Sequence, residues 1–263
     1  MDQREIATAV EKIKKWALEA GVLQLRWFRN QKLDVSIKGG DISDLVTEAD
    51  YESERFWIEK IHEAFPTHSI IAEESGSHLQ EGSDYVWSID PIDGTVNFAY
   101  GLPFFGSSIA LKRGQEVLLG VIYIPGLQEL YWATAGGGAY CNGSRLQVSS
   151  CATLPAALVA TGFPRRGNTA FTASLQQCRQ VTEQARDIRA LGSAAYELCS
   201  VASGRLDAYW EMSLNAWDVD AGRLMVEEAG GTVALRWEGA KVSILASTPK
   251  IVPELQSIVK IIS

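Results

Sequence analysis

The stretch Asp90-Pro91-Ile92-Asp93-Gly94-Thr95-Val96-Asn97-Phe98 constrains this chain more than any other. A strand-like run, Tyr85-Val86-Trp87-Ser88-Ile89, leads straight into it. Two carboxylates then stand three residues apart, with Pro91 between them fixing its own φ. Asp93-Gly94 turns the chain, since glycine tolerates the positive φ that such turns often need. Acidic oxygens gathered at the end of a buried strand repel one another unless a cation sits among them. Hard divalent cations such as Mg²⁺ take oxygen ligands of this kind. Beside them, the backbone N–H groups of Gly94 and Thr95 offer a cradle for an anion. A cation cluster next to an anion cradle points to a phosphate ester as substrate.

Two more acidic clusters have the same character. His68-Ser69-Ile70-Ile71-Ala72 is strand-like and ends in Glu73-Glu74-Ser75. Trp217-Asp218-Val219-Asp220 opens a stretch with helical spacing of apolar residues and a Gly230-Gly231 stop, which places Asp218 or Asp220 in a first helical turn. Each cluster alone has an ordinary account. Glu73-Glu74 reads equally as a solvated strand end, and Asp218 as an acid favoured by the helix dipole. Three such clusters in one domain weaken that joint account.

With these motifs the chain resembles the inositol monophosphatase family of Mg²⁺-dependent, lithium-sensitive phosphatases. The resemblance rests on Asp44-Leu45-Val46-Thr47-Glu48-Ala49-Asp50, Ala72-Glu73-Glu74-Ser75, Asp90 to Phe98, Gly192-Ser193-Ala194-Ala195 and Trp217-Asp218-Val219-Asp220-Ala221-Gly222, in the family's order. It implies an αβαβα layered sandwich with mixed sheets, an α/β (α+β) fold, and a homodimer.

The same resemblance implies the parts of the site. Glu73, Asp90 and the carbonyl of Ile92 would hold a first Mg²⁺ that activates water. Asp90, Asp93 and Asp218 would hold a second that stabilises the leaving oxygen, and Glu73 would help hold a weaker third. Thr95 and Asp50 would form the pair that helps deprotonate the attacking water. The N–H groups of Gly94 and Thr95 would bind the phosphate. Asp93, Ser193, Ala194, Glu211 and Asp218 would face the alcohol part. The simpler alternatives are that Asp50 sits on a solvated helix face, Thr95 caps a helix, and Glu211 is a surface acid at the end of Leu206-Asp207-Ala208-Tyr209-Trp210. Asp220 and Val96 depart from the family's usual residues. Asp220 is either a supporting acid or a perturbation of the metal site. Lys38 lies near a family position that approaches the third ion, but its spacing to Asp44 leaves it unassigned.

Composition agrees. The chain has 263 residues, 46% of them apolar, including 8 Trp, enough for a sizeable core. A net charge of −8 gives no basic patch, so nucleic acid is not expected as a main partner. No apolar run is long enough to span a bilayer, and the first residues lack a signal-peptide pattern. Cys141, Cys151, Cys178 and Cys199 are scattered, which predicts reduced, buried thiols in a cytoplasmic protein.

Periodicity predicts a helix over 6–28, weakened at Gly21, a loop or loose hairpin over 31–43 with Gly39-Gly40, and a helix over 44–64. Strands follow at 68–72, 85–89, 104–112, 116–124, 129–134 and 144–148. Gly136-Gly137-Gly138 reads as a turn and not a phosphate loop, because no helix with a lysine follows. After about residue 150, strands (157–161, 187–191, 206–210, 231–235, 244–246) alternate with helices (169–185, 193–203, 216–229, 249–262). Residues 162–167, with Arg165 and Arg166, form a loop. The expected organisation is an N-terminal half, 1–150, carrying most metal ligands, and a C-terminal half, 151–263, completing one compact functional unit.

No Gly-x-Ser-x-Gly elbow exists, and His62, His68 and His78 lie outside the motifs, so a nucleophilic side chain is not expected. The leading reading is hydrolysis of inositol-1-phosphate. Histidinol phosphatase, fructose-1,6-bisphosphatase and NADP(H) phosphatase share the same core. The sulfur-assimilation branch typically carries Lys-Glu after Asp-Gly-Thr, where this chain has Val96-Asn97-Phe98. A reading of a different class is a regulatory protein that binds a macromolecule through this fold.

Overall fold

The computed structural model describes residues 1–30, 35–37, 45–164 and 169–261. Helix α1 (Gln3–Trp27) starts at a capping box: Glu5 N–H donates to Asp2 at 2.9 Å and Asp2 N–H to Glu5 at 2.6 Å. Its stripe of Val10, Ile13, Ala17, Ala20 and Gln24 is buried at helical spacing. Gly21, expected to weaken the helix, instead lets it pack closely: a Cβ there would lie 2.3 Å from the Tyr123 ring.

Two short antiparallel strands, β1 (Val35–Ile37) and β2 (Leu45–Thr47), precede α2 (Glu48–Ala64). The helix expected from residue 44 thus begins at Glu48, because Leu45-Val46-Thr47 is spent on strand pairing. Asp44, Lys38, Gly39-Gly40, Arg165, Arg166 and Gly167 lie outside the described residues.

A large sheet follows from β3 (Ser69–Ala72), β4 (Gly76–His78), β5 (Tyr85–Asp93), β6 (Gly106–Arg113), β7 (Glu116–Ile124), β8 (Glu129–Thr134), β9 (Gly138–Cys141) and β10 (Ser144–Arg145), with the short helix α3 (Thr95–Ala99) between β5 and β6. Its order is β10-β9-β8-β7-β6-β5-β3-β4, and only β3–β5 is parallel. The strand expected over 144–148 is only two residues long, and β4 and β9 lie outside the expected strands. Both are short and polar or glycine-containing, with no alternation to read.

The second sheet has the order β12-β11-β13-β15-β14. It is built from β11 (Leu158–Thr161), β12 (Asp187–Arg189), β13 (Ala208–Leu214), β14 (Thr232–Glu238) and β15 (Lys241–Ser247), interleaved with α4 (Thr169–Thr182), α5 (Ala194–Ala202) and α6 (Ala216–Glu228), and followed by α7 (Val252–Val259). The last helix is shorter than expected. A 3₁₀ turn at Pro249–Ile251 precedes α7, and Lys260 at φ 49° ends it.

The layers follow from which apolar faces meet. Ala9, Ile13, Trp57 and Ile61 of α1 and α2 pack on Trp87, Ile109 and Val121 of the large sheet. Leu198, Val219 and Met225 of α5 and α6 fill the middle, between Ile122 and Tyr131 of one sheet and Tyr209 and Ile244 of the other. Val181 and Leu255 of α4 and α7 cover Trp210 and Leu245 outside. The result is the αβαβα mixed sandwich. Every residue of α5 is buried, as a helix in the central layer requires.

Among the described residues no helix is long and apolar enough to cross a membrane. All four cysteines are free, but only Cys199 is fully buried; Cys141, Cys151 and Cys178 are partly exposed, which corrects the expectation of four buried thiols.

Candidate active site

A cleft of about 500 Å³ opens between the two sheets. Every expected site residue except Asp50 lines it: Glu73, Asp90, Ile92, Asp93, Gly94, Thr95, Ser193, Ala194, Glu211 and Asp218. A larger cavity of about 720 Å³, beside Gln177, Arg179 and Arg236, contains Glu183 as its one carboxylate among the described lining residues. The clustered carboxylates are in the smaller one.

Strand β5 does not stop at Ile89 but runs through Asp93. Its register with β6 slips between Asp90 and Asp93, and this bulge lets both acids reach the cleft. Gly94 then sits at φ 84°, and a Cβ there would meet the Phe104 carbonyl oxygen at 2.7 Å, so the turn admits only glycine without strain. Gly94 rather than Thr95 is the residue before α3; Thr95 is its first helical position. The Thr95 hydroxyl reaches back to the Ile92 carbonyl at 3.0 Å and to Asp50 Oδ1 at 3.2 Å. Asp50 is wholly buried behind it, which rules out the solvated-face reading. Its Oδ2 accepts from Thr47 N–H at 2.8 Å and Thr47 Oγ1 at 2.6 Å.

Asp218 lies in the first turn of α6, where its Oδ2 accepts the Asn215 N–H at 2.7 Å. Asp93 accepts from Ser193 Oγ and, at 2.8 Å, from Ala195 N–H. The 193–195 segment therefore holds an acid as well as lining the cleft. Glu211 is not at a strand end: β13 continues to Leu214, with a bulge after Glu211. Tyr209 Oη donates to Glu211 Oε2 at 2.6 Å. Gly162 makes room for that carboxylate, since a Cβ there would stand 1.9 Å from Oε2.

Several residues that fix this geometry carry no motif. Gln24 Nε2 donates to the Pro91 carbonyl and to Ser107 Oγ, both at 2.8 Å. Ser107 Oγ also donates to that carbonyl at 2.9 Å. Glu54 accepts the N–H groups of Glu74 and Ser75 at 2.7 and 2.8 Å, clamping the chain just after Glu73. Asn97 Nδ2 bridges the carbonyls of Phe104 (2.8 Å) and Leu191 (2.7 Å), tying the Gly94 turn to the Ser193 turn. Glu197 accepts Leu191 N–H at 2.7 Å. The available signal was a lone Gln on the apolar stripe of α1 and a lone Glu beside Ser53 and Trp57 on α2.

Burial, followed by repulsion from Glu73, Asp93 and Asp218, pushes the Asp90 carboxyl well above its usual range. Burial likewise raises Asp218, with Glu73 adding to it and the Asn215 N–H opposing it. Asp93 is raised to about 6 by burial, against the opposing hydrogen bonds from Ser193 and Ala195. Glu211 is raised to about 7, again by burial, with the Tyr209 hydroxyl opposing. Asp90 Oδ1 is buried with no hydrogen-bond partner among the described residues. Concentrated, desolvated carboxylates with an orphaned acceptor fit a hard divalent cation by donor chemistry. Among the described residues no three such side chains are drawn around a single point at ligating distance. Asp93 is held instead by Ser193 and Ala195, and Asp218 by Asn215.

Asp220, two residues beyond Asp218, is wholly buried but turned away from the cleft, paired with Lys112 Nζ at 2.9 Å and Arg223 Nε at 3.4 Å. The triple glycine forms a turn whose Gly136 and Gly138 N–H groups are both taken by the Glu228 carboxylate at 2.7 Å.

The inositol monophosphatase family model matches residues 2–259. A Mesorhizobium japonicum inositol-1-monophosphatase is 40% identical over 83% of this chain and 82% of its own. A Pseudomonas aeruginosa protein named Nus factor SuhB is 43% identical over 78% of this chain and 77% of its own. The crystal structure of the Bartonella henselae extragenic suppressor protein suhB superposes with a TM-score of 0.89 at 36% identity, covering 96% of this chain and 98% of that one. The chain belongs to the inositol monophosphatase family and is a phosphoric monoester hydrolase.

Proposed function

We propose that this protein hydrolyses a small phosphate monoester, with inositol-1-phosphate as the leading substrate, using Mg²⁺ and water. The observation that carries the proposal is the convergence of Glu73, Asp90, Asp93 and Asp218 on one cleft, with Asp90 Oδ1 buried and unpartnered among the described residues. Glu73, Asp90 and the Ile92 carbonyl are the proposed holders of one ion, Asp90, Asp93 and Asp218 of a second, and Glu73 contributes to a third. Mg²⁺, when bound, lowers the pKa of water and stabilises the leaving oxygen.

The protein's own groups do the rest. The Thr95 hydroxyl, 3.2 Å from Asp50 Oδ1, is placed to accept a proton from the attacking water while passing its own to that carboxylate. The N–H groups at the Gly94–Thr95 turn point donors at the phosphate. Ser193, Ala194 and Glu211, with Asp93 and Asp218, are the proposed contacts of the alcohol part; all five line the cleft. Because the cleft draws residues from both 1–150 and 151–263, the two halves act as one functional unit. A homodimer in the cytoplasm, with no membrane or nucleic-acid partner required for hydrolysis, completes this reading.

A phosphate-release assay tests it, with inositol-1-phosphate, histidinol phosphate, fructose 1,6-bisphosphate and NADP as the panel. Release should require Mg²⁺ and stop with chelator. Full turnover in metal-free buffer would overturn the metal mechanism. The relatives named Nus factor SuhB favour a second reading, a macromolecular regulatory role carried by the same fold. An Asp93→Asn chain that loses phosphate release but still complements a regulatory phenotype would assign both roles.

A further inference from the structure

Lys241, an exposed residue, is the one cationic side chain lining the cleft among the described residues, which include five carboxylates: Glu73, Asp90, Asp93, Glu211 and Asp218. It opens β15, where its cross-strand neighbour is Glu238. The obvious partner is not used. Glu238 pairs with Arg236 Nε at 3.1 Å, while Lys241 Nζ turns to the neutral Asn215 Oδ1 at 2.6 Å. An ammonium has three donors, so this leaves two more to offer the cleft.

The bulge in β13 explains how Lys241 comes to face the site. Between Glu211 and Leu214 that strand carries one extra residue relative to β15, and Ser213 takes φ 65°. The distorted end brings Ser213, Leu214 and Asn215 to the cleft wall, and Lys241 lies against it. Lys241 thus sits beside Asn215, past the bulged end of the strand that carries Glu211. Glu211 is on the alcohol side in the reading proposed above, on which this inference rests.

We propose that Lys241 is a specificity-determining residue that binds a second anionic group on the alcohol part of the substrate. Between two esters that differ only there, the one carrying another phosphate or a carboxylate is then favoured. A cation hydrogen-bonded to an amide, in a cleft whose other charged lining residues are acids among those described, rewards such a group more than a neutral hydroxyl.

The test compares fructose 1,6-bisphosphate with fructose 1-phosphate, which present the same scissile ester with and without a second anion. The wild-type chain should favour the bisphosphate in kcat/KM by about tenfold or more, the scale of one charge-assisted contact. Lys241→Met should remove that preference through a raised KM for the bisphosphate, and Lys241→Arg should restore most of it. Calorimetric titration with the two C1-phosphonate analogues should give the same difference as a binding readout, independent of turnover. Equal loss on both substrates in Lys241→Met would overturn the proposal, because the lysine would then act only through Asn215 on α6. An unchanged preference, or equal affinity of the two phosphonates for the wild type, would overturn it too. Failure of the phosphatase reading is seen separately, as absence of phosphate release from either ester.

Discussion

Asp218 and Asp220 stand two residues apart on α6 and face opposite ways. Asp218 turns into the cleft, where its Oδ2 caps the Asn215 N–H at 2.7 Å; Asp220 turns back to Lys112 at 2.9 Å. Two steps along an α-helix rotate a side chain by about 200°, so adjacent-looking acids in a motif land on different faces. The departure from the family pattern at Asp220 therefore falls on the helix's anchor and not among the proposed ligands.

Asp220→Ala should chiefly cost stability. Removing the carboxylate strands two largely buried cations, Lys112 and Arg223, and breaking such a pair costs about 3 kcal/mol or more. Urea unfolding measures the loss. Below the unfolding transition, the Mg²⁺ concentration for half-maximal activity should stay within about twofold of wild type, the scatter left by a site not touched. A large shift in Mg²⁺ demand with little change in stability would place Asp220 in the metal site after all.

Asp93→Asn should abolish turnover with the fold intact. An amide keeps the volume and can still accept from Ser193, but it brings no charge to the proposed second ion. A loss of at least several hundredfold in kcat corresponds to losing several kcal/mol of charge stabilisation. Circular dichroism checks the fold. A folded variant with near-normal kcat would contradict the assignment.

Much of this site was readable because its parts are contiguous. Asp90 to Thr95 is one strand end and one turn, and both acids survive as neighbours in space because a bulge lets them. What the sequence hid are the contacts that span it. Gln24 grips Pro91 across 67 residues and Ser107 across 83, and Asn97 meets Leu191 across 94. Nothing in local spacing encodes such pairings; only the polar interruption of an apolar stripe hints at them. The end of β13 lies beyond the expected 206–210 run for a related reason. Glu211-Met212-Ser213 breaks the apolar run, although β15 goes on pairing with it through a bulge.

Gln24→Leu should therefore weaken activity without touching a proposed ligand. The Pro91 carbonyl would keep Ser107 and Ser53 but lose its shortest donor, a loss of about 1 kcal/mol for one net hydrogen bond. The Asp90–Asp93 bulge would be less firmly held. The expected sign is a higher Mg²⁺ requirement, with kcat at saturating Mg²⁺ falling less than for Asp93→Asn. An unchanged Mg²⁺ titration curve would mean that Gln24 supports only packing.

Glu211 gives a prediction in pH. In the metal-free protein its carboxyl is raised from 4.5 to about 7, mainly by burial. An acid whose folded pKa is raised favours the neutral form in the fold. It costs nothing below the unfolded value, and its cost grows from about pH 4.5 to 7 and is complete above. Glu211→Gln stays neutral throughout, so its gain over wild type should be small at pH 5. At pH 8 it should reach at most about 3 kcal/mol, an upper bound because the side chain is partly wetted by the cleft. Urea unfolding in chelator at the two pH values measures the difference; an equal difference at both would show that no charge penalty resides there. The same variant bears on substrate choice. A polyol ester should lose about 1–2 kcal/mol in kcat/KM, as for weakening a hydrogen bond to a charged group. Histidinol phosphate, whose ammonium would be left unpaired against the wall, should lose more. If neither moves, Glu211 shapes the cleft through Tyr209 and Gly162 without reading what enters it.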